Sequence, residues 1–340
     1  MSLEIPLTVV YKEINGSRIT TDLYLPTHSP EQKHPVGALS QTQQLESTFT
    51  RLTDPVINIH GGAFMLGHSR MVSLPQVEDC LGRGWIVIVP NHRLCPGVNI
   101  LDGPMQDIRD LLTWIQDGQL DSILSTHGYR ADLDNIAAFG TSSGGHLALS
   151  LPVNAILSLY GAVHFTDAAW RTPLPHVAKK LPPNLSEEFL NKIYEEYPVP
   201  TDSSVSLEGQ TESGVSKGPD FSKPRDAFAF TQIASGNVID TIYPSKEDPE
   251  MRRIDPVLNV NSQFPPTYIV HGMADTMVPI GLSRVLFEKL KECGVKCGMT
   301  EVPHEEHTFA AMMKVGSKTW WLQREGFDFL EGIIGKGSTV

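Results

Sequence analysis

Short runs of apolar, β-branched residues recur along the chain, separated by segments whose apolar residues fall at helical spacing. Val56-Ile57-Asn58-Ile59, Trp85-Ile86-Val87-Ile88-Val89, Asn135-Ile136-Ala137-Ala138-Phe139, Ala155-Ile156-Leu157-Ser158-Leu159, Thr267-Tyr268-Ile269-Val270 and residues 296–302 each read as a strand. Runs that stay apolar at consecutive positions belong to strands covered on both faces, as in a parallel sheet. Residues 7–11 and 19–24 alternate instead and predict an antiparallel start. Between the strands, Met105, Ile108, Leu111, Leu112 and Ile115 predict a helix over 104–115 with Pro104 in its first turn. A second helix covers 283–290 and stops at Cys293-Gly294; a third covers 320–334. Strands alternating with helices imply an α/β sheet with right-handed crossovers.

Two stretches break the alternation. Residues 29–50 are polar and read as a surface loop. Residues 165–260 form a long insertion before the next strand, with a Ser/Gly-rich middle, 201–223, expected to be mobile. Its flanks, 189–197 and 227–242, carry aromatic and apolar residues, so the whole is expected to be a lid over a pocket. The domain expectation is therefore a core of residues 1–164 and 261–340 with a lid at 165–260. No internal repeat is present.

Composition narrows the function classes. The 340 residues carry a net charge of −12, which argues against a nucleic-acid or anionic-membrane partner, since either needs a basic face. The N-terminus lacks a basic start followed by an apolar run, and no stretch of about 18 apolar residues occurs, so neither a secretory signal nor a spanning helix is expected. A cytoplasmic protein with reduced Cys80, Cys95, Cys293 and Cys297 follows as the expectation. Cys293 and Cys297 alone do not make a zinc site.

Four motifs carry chemistry. Gly140-Thr141-Ser142-Ser143-Gly144 follows a buried strand and opens a helix, the strand–turn–helix setting of a nucleophile elbow, where small residues must flank the serine. Ser142 is the candidate nucleophile; Ser143 has the wrong spacing to the glycines. His60-Gly61-Gly62-Ala63-Phe64 also follows a strand, and Gly61, Gly62 and the N–H of Ser143 are candidate oxyanion donors. In His271-Gly272-Met273-Ala274-Asp275, Asp275 is the candidate acid that orients a histidine, although a loop aspartate can also simply cap the next helix. In Pro303-His304-Glu305-Glu306-His307, His307 is the candidate general base and His304 the alternative. The two histidines could also be read as metal ligands, but no third ligand is near, so neither metal nor cofactor is expected. Further histidines, His60 and His146, are expected to pack around the site. The order Ser142, Asp275, His307 is nucleophile, acid, base.

Through these residues, together with Asn91-His92-Arg93-Leu94-Cys95-Pro96 and His307-Thr308-Phe309, the chain resembles the α/β-hydrolase superfamily, specifically the hormone-sensitive-lipase-like esterases. The resemblance implies a mostly parallel eight-stranded sheet with a cap, no cofactor, carboxylic ester hydrolysis on Ser142, Asp275 and His307, and, as such esterases often do, assembly as a homodimer. The chain departs from the family's pattern at Ala63, where a third glycine is usual, and at Ser143, where alanine is usual. It also has an unusually short run between Ser142 and Pro152, which predicts a strained crossover to the next strand. The expected partner is a small-molecule ester of a small or medium acyl group. Amidase, formamidase, acyltransferase or cyclising chemistry on the same triad is one alternative. A non-catalytic ligand-binding protein on the hydrolase fold is the other.

Overall fold

The structure, a computed structural model, describes residues 5–26, 51–207, 218–244 and 248–335. The expected loop over 29–50 and the middle of the 201–223 segment lie outside the described residues.

The chain opens with β1 (Leu7–Ile14) and β2 (Ser17–Tyr24), an antiparallel pair. Its two-residue turn, Asn15-Gly16, has φ of 49° and 82°, the backbone a tight hairpin demands. There follow β3 (Arg51–Thr53), β4 (Pro55–Ile59), α1 (Leu74–Gly82) and β5 (Ile86–Pro90). Next come α2 (Gln106–Gln116), α3 (Gln119–Leu124), β6 (Tyr129–Ala131), β7 (Ala137–Thr141), α4 (Ser143–Leu149) and β8 (Ala155–Leu159). The helix expected from Pro104 begins differently. Pro104 has no N–H to donate, and a π-helical turn, Leu101–Met105, precedes α2, with Met105 N–H reaching Ile100 O at 3.0 Å. The insertion carries α5 (Pro175–Ala178), α6 (Glu187–Asn191), α7 (Pro224–Ser235), α8 (Val238–Ile242), α9 (Asp248–Ile254) and α10 (Pro256–Asn259). The chain then closes with β9 (Thr267–Gly272), α11 (Ile280–Glu292), β10 (Cys297–Val302) and α12 (Lys318–Ile334).

Eight strands form one sheet in the order β1-β2-β5-β4-β7-β8-β9-β10, antiparallel only where β2 meets its two neighbours. A separate parallel pair joins β3 to β6. Successive side chains point to opposite faces of a strand, and the central strands β4, β5, β7 and β8 are buried on both faces. Ile57, Ile59, Ile86, Ile88, Ile156 and Ile269 pack on one side with α2 and α11. Val56, Val87, Val89, Phe139, Leu157 and Val270 pack on the other with α1 and α12. This two-sided burial is why the strands read as unbroken apolar runs.

The crossover after Ser142 is short but not strained. α4 has seven residues, β8 lies directly beside β7, and among residues 143–159 none has a positive φ. Only one strand spacing has to be crossed, so two turns of helix suffice.

The insertion is fastened to the core at several points, among them Leu94 N–H to Pro200 O (2.8 Å), Ser203 N–H to Gly67 O (2.8 Å) and Ile100 N–H to Ile242 O (3.0 Å). Asp255, fully buried, accepts N–H bonds from His164 (3.1 Å) and Phe165 (2.7 Å) at its start and from Val257 (3.1 Å) at its end. Arg225, in the first turn of α7, donates to Met65 O (2.7 Å) and Cys95 O (2.9 Å) and pairs with Glu196. All four cysteines are free thiols. Among the described residues, no helix is long and apolar enough to cross a membrane.

Candidate active site

Ser142 sits where β7 turns into α4, with φ 52° and ψ −120°. A non-glycine residue holds this backbone only when its surroundings enforce it. The enforcement is visible in the neighbouring glycines. A Cβ on Gly140 would lie 2.4 Å from the backbone of Gly144, and one on Gly144 would lie 2.0 Å from Ile59 O. The Ser142 N–H donates to Leu159 O at 2.9 Å, while Ser142 O accepts from His146 and Ala162. The serine is thus held at the carboxyl edge of the sheet, between β4 and β8, where open α/β sheets place their ligands.

Three loops from that edge converge. His307 Nε2 lies 3.0 Å from Ser142 Oγ, and His307 Nδ1 lies 2.6 Å from Asp275 Oδ2. Asp275, in the loop after β9, also accepts the N–H groups of Met277 (2.9 Å) and Val278 (2.8 Å) on Oδ1. Burial alone would raise its pKa, but the facing His307 and the hydrogen bonds from His271 and His307 hold it well below the usual carboxylate range. The Asp275 charge therefore persists throughout the neutral range. The Tyr160 ring meets His307 edge-on at 5.0 Å and braces it from β8. His304, the alternative base, is exposed in the turn before Glu305, with φ 65°. Thus Ser142, Asp275 and His307 come together, and His304 stands apart.

The glycine loop differs by one residue from expectation. Gly62, with φ 114°, and Ala63 line the same cavity as Ser142, whereas Gly61 does not. The Gly61 carbonyl is taken by the His60 ring, whose Nδ1–H donates to it at 2.7 Å. A Cβ on Gly62 would meet Leu66 O at 2.2 Å, so the turn can close only on glycine there. Ser143 starts α4, so its N–H has no helical carbonyl ahead of it. The loop reverses at Ala63 and Phe64, both at positive φ.

His60 and His146 pack as expected. His60 stacks on His92 at 4.7 Å, and His146 stacks on Phe165 at 4.7 Å while bonding Ala162 O at 2.8 Å. Burial pushes the His146 pKa down to about 4 and lowers those of His60 and His92, so all three rings are neutral packing elements at pH 7.

A cavity of about 420 Å³ opens beside Ser142. The core contributes Met71, Met277 and Met312; the insertion contributes Lys180, Leu207, Phe230 and Ile233. Apart from Ser142 and His307 themselves, the walls are apolar except for Lys180, Thr308 and the Glu305-Glu306 pair.

Comparisons with known proteins agree with this geometry at the level of fold. A BD-FAE family model matches residues 44–155, and a prolyl oligopeptidase family model matches residues 225–337. A Thermogutta terrifontis esterase solved with propionate superposes with TM-score 0.60 at 16% identity, over 98% of this chain and 96% of that one. A Staphylococcus aureus protein of unknown function superposes with TM-score 0.63 at 19% identity, over 97% of this chain and 100% of that one. These matches and the sheet order give the chain the α/β-hydrolase fold, and its ordered motifs are consistent with the hormone-sensitive-lipase-like esterases. Among curated proteins it is similar to the non-reducing polyketide synthases ascC of Acremonium egyptiacum, at 27% identity over 96% of this chain, and Preu6 of Preussia isomera, at 28% over 95%. The chain spans only 15% and 14% of the length of those two relatives.

Proposed function

We propose that the protein is a serine hydrolase that cleaves a carboxylic ester of a small or medium acyl group. The observation that carries this reading is the unbroken run of contacts from Ser142 through His307 to Asp275. His307 Nε2 takes the hydroxyl proton as Ser142 Oγ attacks the acyl carbonyl. Asp275 holds the Nδ1–H tautomer and faces the imidazolium that forms. The carbonyl oxygen becomes an anion, and the N–H groups of Gly62, Ala63 and Ser143 are its proposed donors, each worth roughly 3–4 kcal/mol when tested by removal. His307 then protonates the leaving alcohol, and a water activated by the same ring releases the acid from Ser142.

The cavity supports a modest acyl group. About 420 Å³ is at the small end of ligand sites, and its apolar walls offer an alkyl or aryl chain an environment that a charged acyl group would find costly. On this reading residues 165–260 act as the lid, because Phe230 and Ile233 close the cavity opposite the sheet. The test is hydrolysis of p-nitrophenyl esters of increasing chain length by the wild type and by Ser142→Ala. Wild-type turnover that survives Ser142→Ala sinks the proposal.

A second reading is favoured by the polyketide synthase relatives, which match almost the whole chain. A synthase that builds an acyl chain must at some step let it go. The same Ser142 chemistry would then accept such a chain and pass it to water, to another alcohol or amine, or to a hydroxyl of its own. Product analysis with and without an added alcohol separates transfer from hydrolysis: transferred or cyclised product exceeding free acid favours this reading, and free acid alone leaves hydrolysis as the reaction.

A further inference from the structure

His271, on β9 just before its final glycine, is fully buried and is bonded at both ends of its ring. Its Nε2 lies 3.1 Å from Asp275 Oδ2 and 2.8 Å from Val278 O; its Nδ1 lies 2.8 Å from Ser283 Oγ on α11. A carboxylate and a carbonyl can only accept, so Nε2 must carry a hydrogen. In the neutral ring Nδ1 is then the acceptor, and Ser283 donates to it. His271 Nε2 carries one hydrogen, shared between Val278 O and, as the longer arm, Asp275 Oδ2; Oδ2 therefore receives the His307 N–H and this shared His271 N–H, while Oδ1 receives the N–H groups of Met277 and Val278. A carboxylate offers about four lone-pair sites, and here all four are engaged by the protein.

We propose that His271 is a positioning residue for the Ser142–His307 pair, acting through Asp275; this rests on Ser142 being the nucleophile. The two loop N–H groups fix Oδ1 but leave the carboxylate free to twist about it. His271 fixes the other oxygen from a rigid central strand, and so sets the plane in which His307 is held. Its N–H also draws charge from Oδ2, which tempers the pull of Asp275 on a protonated His307. The other titratable or charged groups facing His271 are Tyr160 from β8, with ring centres 6.5 Å apart, and Glu301, its register partner on β10, which is bound to Arg284.

The matched variants are His271→Asn and His271→Gln. An asparagine amide falls where Nδ1 lies and keeps only the Ser283 contact; a glutamine amide reaches the place of Nε2 and keeps the donor to Asp275. His271→Asn is expected to lower kcat roughly 10- to 100-fold with KM within about threefold. It should also move the acid limb of the kcat/KM profile to higher pH, because an untempered Asp275 favours the protonated base. His271→Gln is expected to stay within about threefold of wild type with an unmoved limb. Equal behaviour of the two folded variants, or an unmoved acid limb in His271→Asn, overturns the proposal. Should either variant fail to fold, the imidazole ¹⁵N spectrum of the wild type decides: an Nε2–H tautomer for His271 supports it, and an Nδ1–H tautomer overturns it. Ser142→Ala and fluorophosphonate labelling separate the two failures. A wild type that neither labels nor turns over defeats the nucleophile reading. In that case the proton resonance of the His307 Nδ1–H···Asp275 bond still tests His271, which must shift it in His271→Asn and leave it in place in His271→Gln.

Discussion

The sheet edge and the insertion face each other across one cavity, and they are built to different tolerances. At the edge, a methyl on Gly140, Gly144 or Gly62 would sit within 2.4 Å of backbone. Asp275 has every acceptor position filled, and Ser142 is held at a backbone conformation that few residues adopt. On the insertion side, the same cavity is lined by the flexible or bulky side chains of Lys180, Leu207, Phe230 and Ile233, the last two on the regular helix α7, where a side chain can be exchanged without touching a turn. Bond-making needs atoms placed to a few tenths of an ångström; choosing an acyl group needs only a volume and a polarity. The proposed chemistry is therefore written into one region and the proposed selectivity into the other.

Substitutions can break this division. Asp275→Asn should cost about 10⁴-fold in kcat, because the amide no longer holds the Nδ1–H tautomer of His307. Steady-state kinetics on a p-nitrophenyl ester checks this, and a loss below tenfold would remove Asp275 from the chemistry. Gly144→Ala drives a Cβ against Ile59 O and should displace the elbow, lowering kcat on the order of 100-fold together with a lower melting temperature. An unchanged enzyme would mean that the elbow tolerates what its geometry forbids. Phe230→Ala tests the opposite wall. It should raise KM for medium-chain esters about tenfold, as expected for losing one apolar contact surface, and leave kcat on acetyl esters within about twofold. Equal losses on both substrates would place Phe230 in the chemistry and erase the contrast.

The smallest effect concerns stability. His146, His60 and His92 have folded-state pKa values below the unfolded value, so the unfolded chain binds the extra protons. Their stabilising contribution is complete above about pH 6.5 and is lost as the pH falls toward 4; for His146 the shift to about 4 is worth of order 3 kcal/mol. Melting curves between pH 7 and 4.5 should show a falling midpoint, and a flat series would mean that these rings are already charged in the fold.

The same division governs what could be read from the chain. All eight strands of the sheet are legible: the central ones because strands dry on both faces must be apolar throughout, and β1 and β2 because their half-buried faces alternate. The parallel pair of three-residue strands at Arg51–Thr53 and Tyr129–Ala131 is not, since Arg51, Leu52 and Arg130 are exposed and nothing in their pattern repeats. Ser142, Asp275 and His307 are legible because each follows a strand end, and strand ends share an edge. The glycine loop is legible as a tight turn after β4, but which of its residues line the cavity is not, because glycine marks where a turn is tight and not which side it opens to. His271 lies in a motif already singled out for its aspartate, yet its contact with Asp275 depends on how the loop folds back over β9. The cavity wall is legible only in part: Phe230 and Ile233 fall in the apolar 227–242 stretch, whereas Lys180 and Leu207 depend on how separate segments of the insertion dock.

Asp255 has an evolutionary consequence. Because one carboxylate receives N–H groups from both His164-Phe165 and Val257, the insertion leaves and rejoins the sheet at a single point. Closing a longer or shorter excursion between those anchors changes the entropy only with the logarithm of its length. Such a knot lets a lineage discard or rewrite the whole segment in one recombination event while the catalytic edge is inherited intact. Substrate range could then diverge in large steps, not one side chain at a time.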